Sequence, residues 1–137
     1  MTKRIEGRVI VSWEEPLTGR VIKYTKKVSF LGDIDPSTGK AIRTLDKKQR
    51  KIANKILFFP GSKGSTVGSA VLYGLAKRGK APKLIVTPKP DLVTMGGTIF
   101  GEIPTLKIST DSFELVDDGE QARAYVKGNK GIIEVGG

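Results

Sequence analysis

The residues with the chemistry to act on a substrate sit in one stretch, FFPGSKGSTVGSAVLYGLAKRGKAP (58–82). Within it Ser62, Lys63, Gly64, Ser65, Thr66 and Ser69 bring hydroxyls, one ammonium and a freely bending backbone into a short turn. A hydroxyl in such a turn either caps a helix, holds an anion or exchanges a proton. The flanking elements decide which groups surround it. Ile56–Phe59 is a short apolar run that reads as a buried strand, stopped by Pro60 and Gly61. From Val67 onward, Val67, Val71, Leu72, Leu75 and Ala76 fall at helical spacing, and Lys77, Arg78 and Gly79 mark the helix end. Residues 62–66 therefore stand where a strand hands over to a helix N-terminus. Amides there lack intrahelical partners and the dipole favours negative charge. Ser65 or Thr66 is the expected cap, and Gly61, Gly64 and Gly68 allow close approach to the backbone.

Competing readings of this and other motifs are weighed by spacing. A nucleotide-binding loop, G-x-x-x-x-G-K-S/T, counted from Gly61 needs glycine where Thr66 stands. Gly61–Gly64 also spells G-x-x-G, the backbone clamp of KH domains, but that clamp joins two helices and ILFFP reads as a strand. DIDPSTG (33–39) begins like a calcium loop with Asp33, Asp35 and Ser37. Thr38 replaces the required glycine and Thr44 the closing glutamate, so a turn is expected. DDGEQ (117–121) reads as an exposed acidic turn, and Trp13 as a packing residue.

The 137 residues are expected to form one domain spanning 1–137. The chain contains neither cysteine nor histidine. Disulfides, thiolate ligands and imidazole chemistry are thereby excluded from it. No apolar run reaches membrane-spanning length, and MTKRIEGRVI has no signal-peptide core, so a soluble cytoplasmic protein is expected. Net charge is +10, with +8 carried by residues 1–60. The densest cluster, DKKQRKIANK (46–55), lacks the interleaved aromatics that stack bases. A solvated basic loop or a surface facing an acidic partner is the plain reading. A nucleic-acid-binding module that uses the G-x-x-G loop and this cluster is the alternative.

Along the chain, Ile5–Trp13 and Arg20–Val28 read as two partner strands joined by a turn, and 30–40 as a loop. Leu84–Thr87 and Leu106–Ser109 read as short strands. Pro90 and Asp91 open a short helix through Phe100, and Gln121–Val126 with Gly131–Val135 form a terminal hairpin. Strands, a βα middle and strands again give a mixed α/β domain with parallel and antiparallel pairs.

Two segments carry a resemblance. FLGDIDPSTGKAI (30–42) is similar to an F-x-G-x-V/I-D-P-x-T-G segment, and KILFFPGSKGSTVGSAVLYGLAKRGKAPKLIV (55–86) to a strand–loop–helix–strand block. Both are found, in that order, in the swivelling-domain small subunits of the aconitase X family. The similarity runs loosely from Arg8 to Val135; Asp33 stands where a second glycine is common, and the N-terminal arm is unusually basic. The resemblance implies a three-layer β/β/α swivelling domain of the aconitase type. It implies a hydro-lyase partner, a large subunit bearing a 4Fe–4S cluster on its own cysteines, in a heterodimer or larger assembly, with no cofactor bound by this chain. It implies dehydration of (R)-5-phosphomevalonate to trans-anhydromevalonate 5-phosphate in an archaeal-type mevalonate route. Ser65 matches the family's proton acceptor, and Ser62, Lys63, Gly64, Thr66 and Ser69 are the candidates to hold substrate carboxylate or phosphate. A related aconitase X activity on cis-3-hydroxy-L-proline is the alternative within the same architecture.

Overall fold

The structure is a computed structural model that describes residues 2–136. Seven strands close into a barrel: β1 (Lys3–Val11), β2 (Leu17–Lys23), β3 (Ile56–Phe58), β4 (Leu84–Thr87), β5 (Thr105–Lys107), β6 (Gln121–Lys127) and β7 (Lys130–Gly136). Their order around it is β1-β5-β4-β3-β2-β6-β7. β2, β3, β4 and β5 are parallel neighbours, and the remaining pairs are antiparallel. Four helices accompany them: α1 (Phe30–Asp33), α2 (Val67–Lys77), α3 (Leu92–Gly101) and α4 (Thr110–Leu115).

β3 (ILF) and β4 (LIVT), in the middle of the parallel set, are short and fully buried because both of their faces are covered. Side chains alternate along a strand. Ile56 and Phe58 therefore enter one core with Leu84, Val86, Leu106 and Ile133, while Leu57, Phe59 and Ile85 enter a second with Leu72 and Leu75 of α2. Gly7 of β1 and Gly131 of β7 face each other in register. A side chain at Gly131 would collide with Leu106, and one at Gly7 with the Lys107 carbonyl.

Several sequence expectations hold. α2 ends as anticipated: Gly79 has φ +69° and Lys80 N–H donates to the Leu75 carbonyl (2.8 Å), so the last carbonyls are satisfied by a left-handed glycine. α3 is capped by Asp91, and β6 and β7 form the terminal hairpin across Gly128 and Asn129. Trp13 is buried, donating Nε1–H to the Ala124 carbonyl at 3.3 Å.

Others are corrected. β1 and β2 do not pair with each other: β1 lies between β5 and β7, and β2 between β3 and β6. Val21 faces the barrel interior and Ile22 the helical side, so β2 needs cover on both faces, which a two-stranded ribbon cannot give. The loop expected over 30–40 begins with α1, because the Ser29 hydroxyl accepts from Gly32 N–H and Phe30 is fully buried. The strand expected over 106–109 runs from 105 to 107, and α4 follows, capped by Ser109. The acidic turn before β6 is only partly exposed. Glu120 accepts from Asp117 N–H and Lys3, and Asp118 from Lys23 N–H and Arg50. Among the described residues no helix is long and apolar enough to cross a membrane.

Candidate active site

Because β2 to β5 are parallel, their carboxyl ends share one edge of the barrel, and the loops that follow them gather there. In open parallel sheets this edge is where ligands bind. A cleft of about 500 Å³ on it takes lining residues from all four loops: Thr25 after β2, Pro60 after β3, Pro88 and Lys89 after β4, Thr110 and Phe113 after β5. Residues 62–66 follow closely on Pro60 of this lining, though none of them lines the cleft itself. A different concavity of about 370 Å³, at Glu6, Gly7, Arg8, Asn129 and Lys130, includes none of the candidate residues.

The loop is held by its two ends. At its start, Gly61 (φ +152°) and Ser62 are stitched to the segment after β2. Val28 N–H donates to the Gly61 carbonyl and Lys63 N–H to the Val28 carbonyl, both at 3.0 Å. Asp91 supplies the second anchor: it accepts from Ser62 N–H (2.9 Å), Ser62 Oγ–H (2.6 Å) and Thr94 N–H (3.0 Å). One carboxylate thus caps α3 and fastens the loop to it. Partial burial of Asp91 opposes its charge, but the bonds from Ser62 and the Thr94 amide outweigh this and hold it below the usual carboxylate range.

At the other end, Ser65 Oγ accepts from Val67 N–H (3.0 Å) and the Ser65 carbonyl from Gly68 N–H (3.0 Å). Of the two expected caps, Ser65 makes the side-chain bond; Thr66 has helical dihedrals and makes none. Gly64 has φ +91°, which a side chain rarely adopts, and a Cβ there would lie 3.0 Å from Ser29 Oγ. Gly68 is buried; a Cβ would lie 3.1 Å from Val93 and 3.5 Å from Phe30. Gly68 brings the 30–42 segment, and Gly64 its preceding cap Ser29, against the 62–69 segment, so the two stretches that carry the resemblance meet in space.

Six candidate residues are therefore together but not alike. Lys63, Gly64, Ser65 and Thr66 are exposed. The amides of Gly64, Ser65 and Thr66 make no hydrogen bond among the described residues. Successive free N–H groups at the start of an eleven-residue helix favour a bound anion. Ser62 and Ser69 are half-buried and their protons are committed, Ser62 to Asp91 and Ser69 to the Val93 carbonyl at 2.6 Å. Sequence reasoning missed Asp91 in this setting. Its position before a helix signalled only a cap, and the contact to Ser62 spans 29 residues.

Of the 33–39 stretch, Asp33 ends α1 and residues 35–39 form the expected turn. Asp35 Oδ1 accepts from Ser37 and Thr38 N–H, and Gly39 takes φ +74°. No group of three or more potential metal ligands occurs among the described residues.

With that geometry in view, comparison with known proteins is decisive. A family model described as the aconitase X swivel domain matches residues 4–135. The chain belongs to the aconitase X swivel domain family. A phosphomevalonate dehydratase small subunit from Thermococcus onnurineus is 38% identical over 133 residues, 96% of this chain and 98% of that one. The protein of the same name from Pyrococcus horikoshii is 43% identical over 101 residues, 73% of this chain and 71% of that one. Among solved structures, the crystal structure of Thermococcus kodakaraensis aconitase X in its holo-form superposes with a TM-score of 0.84. It is 34% identical, with 98% of this chain and 99% of that chain covered. The fold is accordingly the aconitase X swivel fold, of mixed α/β content with a seven-stranded barrel-like sheet.

Proposed function

We propose that this chain is the small subunit of a two-chain hydro-lyase that dehydrates (R)-5-phosphomevalonate to trans-anhydromevalonate 5-phosphate. The observation that carries the reading is the match to the Thermococcus onnurineus phosphomevalonate dehydratase small subunit, which covers 96% of this chain and 98% of that one. The whole chain, 1–137, acts as one swivelling domain. The barrel supplies two β layers, its antiparallel and parallel halves, and α2 with α3 a third layer against the parallel half.

Ser65 is the proton acceptor. Its Oγ already accepts one amide hydrogen bond at the helix start, an arrangement that strengthens as the oxygen gains charge. The dipole adds ~0.3–1 kcal/mol, or about 2 when partly buried. At 1.36 kcal/mol per pKa unit this moves a serine by ~0.2–1.5 units, far short of making it basic at neutral pH. The remainder comes from substrate positioning and from removal of water when a partner covers the exposed loop. The free amides of Gly64, Ser65 and Thr66, with Lys63, hold a substrate carboxylate or phosphate. Ser62 and Ser69 fix the loop and helix, and each hydroxyl oxygen remains able to accept a further hydrogen bond.

The residues of this chain do not fit an iron–sulfur cluster, since they include no cysteine or histidine. The 4Fe–4S cluster belongs to the large subunit, and the active site forms only in a heterodimer or larger assembly. The test is anaerobic co-expression with an aconitase X large subunit from the same source, followed by assay of each chain alone and of the mixture. Turnover of 5-phosphomevalonate only in the mixture is expected. A complex that turns over cis-3-hydroxy-L-proline instead would replace the substrate, and failure to form any complex would sink the subunit reading.

A further inference from the structure

We propose that the concavity between the end of β2 and the 41–50 turn binds a phosphate group. It has a volume of about 470 Å³ and is lined by Lys26, Arg43, Thr44, Leu45 and Lys47. Three cations and one hydroxyl share this space and no carboxylate lines it. Lys26, Arg43 and Lys47 take part in no ion pair among the described residues. Arg43 makes a single side-chain bond, Nη2–H to Gln49 Oε1 at 3.3 Å. The adjoining cleft shares Lys26, Leu45 and Lys47 and does include Asp46. That carboxylate is spent on Tyr24 O–H (2.9 Å), Arg50 Nε–H (2.8 Å) and Lys48 N–H (3.0 Å).

The backbone that carries Arg43 and Lys47 is tied down. Ala41 N–H donates to the Arg50 carbonyl, Ile42 N–H to Asp33 and Asp46 N–H to Ile42, each at 2.9 Å. Like charges gathered around one concavity concentrate positive potential there, and an anion relieves it. A guanidinium fork, two ammonium groups and a hydroxyl suit a phosphate monoester, which carries about −1.5 to −2 at neutral pH. The site lies close to the candidate loop. Lys26 is three residues from Ser29, at most ~10 Å of extended chain, and Val28 between them is bonded to Gly61 and Lys63. That the phosphate is the substrate's own rests on the dehydratase reading; the site itself does not.

The full chain, labelled with nitrogen-15, is titrated with inorganic phosphate at constant ionic strength, with chloride as control. Saturable amide shifts at Lys26 and residues 43–47 are expected, lost in the Arg43→Ala/Lys47→Ala double variant. Both residues are exposed, so the rest of its spectrum should superimpose on the native one. Shifts that chloride reproduces, or that persist in the double variant, overturn the site. In the assembled enzyme, Arg43→Ala is expected to raise KM for the phosphorylated substrate ~10–100-fold while kcat changes little. Phosphate shifts with an unchanged KM assign the site to free phosphate. Phosphate shifts in an assembly that does not turn over phosphomevalonate retain the site and reject the dehydratase reading. Generic RNA binding at these residues more tightly than phosphate, with a steep salt slope, overturns the small-ligand assignment.

Discussion

In the 42–50 turn a buried carboxylate, Asp46, gathers its polar neighbours, and in the 62–66 turn residues 63–66 lie exposed. Asp46 is almost wholly buried and collects bonds from Tyr24, Arg50 and Lys48, while Arg50 also reaches Asp118 (3.0 Å). Burial pushes the Tyr24 phenol well above its ordinary value, and the neighbouring Asp46 carboxylate adds to the rise. Burial opposes ionisation of Asp46 too, but the Arg50 and Tyr24 bonds outweigh it and hold its pKa down. By contrast Gly64, Ser65 and Thr66 leave three amides free, and Ser65 lies exposed. The first turn holds the fold together. The second is left incomplete, open to the substrate or partner proposed for it.

The sharpest test of that contrast is Ser65→Ala. Turnover of the assembled enzyme is expected to fall ~10²–10⁴-fold, equivalent to about 3–5 kcal/mol of barrier. The thermal midpoint should move little, since one exposed cap bond is worth ~1 kcal/mol or less. Near-normal turnover would remove Ser65 from its role. Asp46→Ala should do the opposite. It strands the Tyr24 hydroxyl and the Arg50 guanidinium, with an expected loss of ~2–3 kcal/mol in urea unfolding and unchanged turnover per folded molecule.

Asp91→Ala should blur the distinction, because Asp91 both caps α3 and anchors the loop. We expect ~1–2 kcal/mol of lost stability together with a fall in turnover. Asp91→Asn, which retains an acceptor for Thr94 N–H, should sit between it and the parent. Stability unchanged in Asp91→Ala would show that the loop is held by Val28 alone.

The smallest effect is in pH. Asp46, Asp91 and Glu120 are all held below their ordinary values, Glu120 chiefly by the Asp117 amide and then by Lys3. Below the ordinary carboxylate range, near pH ~4, the unfolded chain binds protons that the folded chain refuses. The stability these groups contribute is therefore complete above that range and is lost as pH falls through the folded values. Urea midpoints should drop on acidification, and drop less steeply in Asp46→Ala. Equal slopes would show that Asp46 is not among the groups responsible.

The strand over 56–58, helices α2 and α3 and the final hairpin were legible because each is a local pattern. Each has a run of the right period bounded by a residue that cannot continue it, such as Pro60, Gly79 or Asp91. The basic cluster was legible as charge but not as structure. Ile52 within it is fully buried and Arg50 is tied across 68 residues to Asp118, so the solvated basic loop, whose Lys47, Lys48 and Lys51 are exposed, is also anchored in the fold.

By itself the sequence determined the strand–turn–helix that presents Ser65, the absence of thiol and imidazole chemistry, and the resemblance that pointed to the aconitase X family. Tertiary structure alone decided that β1 joins β5 and β7 rather than β2, that the 30–42 and 62–69 segments meet at Gly68, and that Asp91 rather than a loop neighbour fastens Ser62. The physical reason is the same in each case. Periodicity and capping are set by residues within one or two turns of each other. Strand pairing, burial on two faces and a carboxylate's choice of partner are settled only when distant segments compete for the same space.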